Sequence, residues 1–77
     1  MGLFRPIKTK CWEKFLSENG FRYSRTKGSH DAWTKKGFRS IPVWGDEKEI
    51  PALHLKLSCK TIGSSLEALY KWSEKNC

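Results

Sequence analysis

FRYSRTKGSHDAWTKK, residues 21–36, decides how this chain folds. Phe21 and Tyr23 alternate with Arg22 and Ser24, the period of a half-buried strand that ends near Lys27. Gly28-Ser29 reads as a turn. A second short strand spans about residues 31–35, Lys36-Gly37 turns the chain again, and residues 39–44 supply a third strand. Three antiparallel strands joined by tight connections are the economical reading. Pro42 has no N–H to give to a ladder, so the third strand belongs at a sheet edge, or at least its amide position faces outward.

Upstream, Thr9 is placed to cap a helix running to about Asn19, with Cys11, Trp12, Phe15 and Leu16 as its apolar stripe. Gly20 then supplies the left-handed stop. Downstream, IPALHLKLSCKTIG carries two periods at once. Leu53, Leu55 and Leu57 alternate as in a strand, whereas Leu55, Cys59 and Ile62 share a helical face, and Pro51 at a helix start favours the helix. After Gly63, Ser64-Ser65-Leu66-Glu67 has the form of a capping box, and Leu66, Leu69, Tyr70 and Ser73 form the inner face of a last helix. The order is helix, three strands, helix, helix: an α+β domain with no repeat, linker or low-complexity tract.

A chain of 77 residues can build only one small domain, and its thin core leans on four Trp, four Phe and two Tyr. Fifteen Lys and Arg against eight Asp and Glu leave a formal charge of +7, which suits a polyanionic partner, most often nucleic acid, or equally a merely soluble basic surface; charge alone does not choose. Cys11, Cys59 and Cys77 are odd in number, widely spaced and without a CxxC pair, so neither a disulfide framework nor a zinc site is expected, and reduced thiols in the cytoplasm fit. MGLFRP lacks the apolar run of a signal peptide, Pro6 stands where a myristoylation motif wants Ser or Thr, and no segment is long and apolar enough to span a bilayer.

A helix ending in NGF, a basic strand, KGSH, an aromatic three residues after the histidine, then SIPVWG and KEIP before a helix: this order resembles the HicA family of bacterial toxins, small ribonucleases of toxin–antitoxin pairs. The resemblance covers about residues 8–63, with 64–77 as a helical extension of the single domain. It implies a fold like the double-stranded-RNA-binding domain, helices packed on one face of a three-stranded sheet. It also implies mRNA cleavage and neutralisation by a HicB-type antitoxin. The family's catalytic histidine corresponds to His30; many members carry a second histidine next, where this chain has Asp31.

RNA brings its own nucleophile, the 2′-hydroxyl, so cleavage without a metal or other cofactor needs a base for that proton, cations for the phosphorane and a proton for the leaving oxygen. A histidine near its ordinary pKa suits the first or last task. His30 is therefore expected to act as general base or acid. Arg25, Lys27, Lys35 and Lys36 are the candidate cations, Ser29 a hydrogen-bond donor to phosphate or imidazole, and Gly28 a point of close backbone approach. If Trp33 packs inward, strand alternation sends Asp31 with it and turns His30, Ala32 and Thr34 to the open face. His54 has no Cys or carboxylate at ligand spacing and reads as a surface or structural residue. Trp44 reads as packing on the sheet, with base stacking as the alternative, and Trp12, Phe15 and Trp72 as core or partner contacts. The competing class is a non-catalytic RNA-binding module using the same basic sheet; weaker still is a protein adaptor with an aromatic surface.

Overall fold

The computed structural model describes residues 5–77; most of the MGLFRP segment lies outside them. The elements run β1 (Ile7–Lys8), α1 (Thr9–Glu18), β2 (Arg22–Lys27), β3 (His30–Thr34), β4 (Ile41–Val43), β5 (Glu49–Ile50), α2 (Ala52–Thr61) and α3 (Leu66–Asn76). Strands β2, β3 and β4 form one antiparallel sheet in that order, and β1 pairs with β5 as a separate two-stranded ladder. The α+β class, the three-stranded sheet and its helices agree with the sequence reading.

The α1 stripe of Cys11, Trp12, Phe15 and Leu16 is buried, and it meets Ile41 and Val43 from the sheet, Leu55 and Cys59 from α2, and Leu69 and Tyr70 from α3. Helix α3 thus closes the same core as the rest of the chain. Trp72 packs edge-on to Phe15 at 5.1 Å and donates its indole N–H to Glu18 at 3.0 Å. On α2 the helical period wins over the alternating one: Leu55 and Cys59 are buried, while Leu53 and Leu57 are exposed.

Helices α1 and α2 end in the same way. At α1, Gly20 (φ +90°) lets Phe21 N–H reach Leu16 O at 2.9 Å while its own N–H reaches Ser17 O at 3.0 Å. At α2, Gly63 (φ +79°) sets Ser64 N–H on Cys59 O at 2.7 Å and its own N–H on Lys60 O at 3.2 Å. Both are six-to-one, five-to-two closures that satisfy the last carbonyls, and the first drops Phe21 into the core.

The structure corrects several expectations. Thr9 does not cap α1: its hydroxyl donates to Glu47 O at 2.6 Å and its N–H to Lys48 O at 2.9 Å, so it fastens the β1–β5 ladder that the sequence pattern did not reveal. Two-residue strands are too short to show a period. The cap of α3 is Ser65, accepting from Ala68 N–H at 3.1 Å, one residue later than the Ser64 frame. All six residues of β2 are exposed, so it is held by its ladder with β3 and not by burial. The third strand shrinks to Ile41–Val43, with Pro42 outward on the edge as expected.

The cysteines depart furthest from expectation. Cys11 and Cys77 form a disulfide across 66 residues of sequence, and only Cys59, buried in the core, is free. Wide spacing concealed the pair because α3 returns the chain end to α1. Closing a loop of that length removes chain entropy from the unfolded state, an effect of about 4 kcal/mol in the loop-closure model.

Candidate active site

Residues Lys27 and His30 close the β2–β3 hairpin as a directly opposed pair, leaving Gly28-Ser29 as the two-residue connection. Gly28 has φ +59° and Ser29 does not have positive φ, the pattern of a turn whose first central position needs glycine. A Cβ on Gly28 would meet no atom within 4 Å, so the glycine is required by backbone conformation, not by crowding.

Trp33 packs against the core and His30 faces the other way, half-buried. The alternation on β2 does not follow simply from Tyr23, because the register shifts between Tyr23 and Arg25. Tyr23 stands opposite Trp33, but Arg25 stands opposite Ala32 and Lys27 opposite His30. Without the extra residue, Arg25 and Lys27 would share Tyr23's face. The bulge re-aims both cations onto the face of His30.

The inward partner of His30's neighbour is also built. Thr26 donates its hydroxyl proton to Asp31 Oδ1 at 2.7 Å, which leaves Tyr23 as the donor in the 2.9 Å Tyr23–Thr26 contact. The other carboxylate oxygen of Asp31 lies 2.9 Å from where a Cβ of residue 45 would stand, so a larger residue there would have to push that carboxylate aside. Burial, reinforced by the negative charge of Asp31 and opposed by Lys10, raises the Glu13 carboxyl above its ordinary pKa. Asp31 is thus a structural hook on the core side of the hairpin.

The remaining candidates separate. Lys35 donates to Asn19 O at 2.9 Å and places its ammonium 4.7 Å from the Phe38 ring centre, closing the α1 terminus against the β3–β4 turn. It lies five residues along from His30, about 17 Å at strand rise. Lys36 sits exposed in the same distant turn. The structure brings Arg25 and Lys27 to His30's face, and does not bring Lys35 or Lys36 there. Ser29 is exposed in the turn beside His30.

One neighbour was not legible from the sequence. Trp44, just past β4, has its ring 5.4 Å from His30 and 5.4 Å from His54 of α2, tilted by 43° and 41°. His54 is ten residues from Trp44 in the chain, and only the return of α2 alongside β4 joins them. Among the described residues no group of three or more His, Cys, Asp or Glu is placed to hold a metal ion, and no helix is long and apolar enough to cross a membrane.

No family model, curated protein or solved structure matches the chain.

Proposed function

We propose that this protein is a HicA-like toxin: an endoribonuclease that cleaves mRNA in the cytoplasm, on a variant of the double-stranded-RNA-binding-domain fold, and is silenced when a HicB-type antitoxin covers His30. The observation that carries this reading is the joint presentation of a half-exposed imidazole and two cations, Arg25 and Lys27, on one face of the sheet through the β2 bulge.

The chemistry is metal-independent transesterification. His30 takes the proton of the 2′-hydroxyl, the 2′-oxygen attacks phosphorus, the bond from phosphorus to the 5′-oxygen breaks, and that oxygen leaves with a proton from imidazolium or water. The products are a 2′,3′-cyclic phosphate and a 5′-hydroxyl. Arg25 and Lys27 offset charge on the phosphorane. The Cys11–Cys77 bond involves none of these residues, so reduction in a cell costs stability without removing a reacting group.

A second reading, a non-catalytic RNA-binding module, is favoured by one feature: among the described residues no side chain hydrogen-bonds to the His30 ring, and the neighbouring carboxylate of Asp31 is tied to Thr26. Induced expression separates the two. The nuclease stops growth and His30→Ala restores it with the fold intact; equal toxicity of the alanine variant refutes the assigned role.

A further inference from the structure

The free edge of β4 and the facing side of α2 enclose a groove of about 370 Å³, whose lining includes Arg39, Pro42, Trp44, His54, Ser58 and Thr61. The volume falls within the range of small-molecule sites. Trp44 in that lining is the same residue whose ring neighbours His30. The groove and the proposed reacting histidine thus share one aromatic neighbour.

We propose that this groove is a subsite for one unpaired nucleobase of the RNA, stacked against Trp44 and His54, with Arg39 serving the flanking phosphate. The proposal takes its ligand from the nuclease reading and adds the strand form of the substrate. An indole beside an imidazole offers a π-face suited to any base, and the Ser58 and Thr61 hydroxyls offer edge partners; Thr61 donates to Leu57 O at 3.2 Å and keeps acceptor capacity. A base inside an A-form duplex is stacked on both sides and cannot enter, because such a helix presents its minor groove, 2′-hydroxyls and phosphates instead. The chemistry makes the same demand, since the 2′-oxygen must swing in line with the departing 5′-oxygen, a rotation that duplex geometry resists. Substrate is accordingly single-stranded at the cut.

The test uses a fluorescein-labelled octamer of 2′-O-methyl RNA, uncleavable because its attacking oxygen is methylated. Its anisotropy is read against the full chain and against Trp44→Ala and His54→Ala, with circular dichroism to check folding. His54 is exposed, so its variant keeps the test open if the half-buried Trp44 proves necessary for folding. The single strand is expected to bind at least tenfold more tightly than the annealed duplex, with losses of about fivefold or more in each variant, the scale of one base stack. Equal binding of the two strand forms, or wild-type affinity in both folded variants, overturns the subsite. Parallel cleavage of unmodified RNA distinguishes the two failures. A wrong subsite with a right nuclease leaves His30-dependent cleavage untouched by His54→Ala, whereas a wrong nuclease with a right subsite leaves strand preference without cleavage.

Discussion

Arg25 stands opposite Ala32, one position out of the alternation that Tyr23 sets against Trp33. That single extra residue in β2 decides which cations share a face with His30. Lys27→Ala and Arg25→Ala are each expected to weaken RNA binding and to flatten the dependence of log Kd on log salt by about 0.7–1, the signature of one lost phosphate contact. Lys35→Ala should instead leave that slope alone and lower stability by about 1 kcal/mol, through loss of its bond to Asn19 O and its place over Phe38. Salt titrations of RNA binding beside urea melts check both halves. An unchanged slope in Lys27→Ala and Arg25→Ala would remove the basic face from the account.

Replacing Asp31 by histidine should harm this chain. Asp31→His loses the acceptor for Thr26 and sets a bulkier ring where the present carboxylate already approaches Gly45 closely. A loss of about 1–2 kcal/mol in denaturant unfolding is expected. A variant as stable as the parent would show that the hook contributes nothing.

Much of this site could be read in advance, and the reasons for the remainder are physical. Gly28 and His30 were legible because a two-residue turn and a period-two strand are local patterns, and the Leu55–Cys59 face was legible because Pro51 favoured a helix start. The bulge was not, since Arg22, Tyr23, Ser24 and Arg25 are all exposed and no buried position marks the slip. The Trp44–His54 contact and the Cys11–Cys77 bond depend on how helices return to distant segments, which no local pattern carries. Lys35 looked like an anion contact because charge is visible in sequence, whereas its carbonyl partner is not.

Glu13 gives a prediction in pH. Its carboxyl pKa is raised, chiefly by burial and then by Asp31, so the folded state holds its proton more tightly than the unfolded state does. The stability this provides is present below the unfolded glutamate range near ~4.3 and is lost as pH rises through the folded value. Glu13→Gln cannot ionise and should therefore raise the melting temperature at pH 7, with the difference vanishing below about pH 4. Melting curves across that window decide it; a lower melting temperature for the variant at pH 7 would reverse the sign.

The thiols should report the core directly. Burial pushes the Cys59 thiol up to about 11, so it should resist alkylation at pH 8 in the folded, oxidised protein and react once guanidinium exposes it. Cys77→Ser, which opens the crosslink, should lower stability by about 2–4 kcal/mol and leave RNA cleavage intact. Mass-resolved alkylation and chemical unfolding measure the two effects. Rapid labelling of folded wild-type protein would place Cys59 outside the core.

The central claim is that one imidazole on the outer face of the sheet moves the proton that breaks RNA. Purified protein incubated with a single-stranded RNA in the presence of chelator should yield fragments ending in 2′,3′-cyclic phosphate and 5′-hydroxyl. His30→Ala should yield none while keeping its circular dichroism spectrum. Cleavage by the alanine variant at the wild-type rate, or intact RNA after long incubation with folded wild-type protein, would contradict the account.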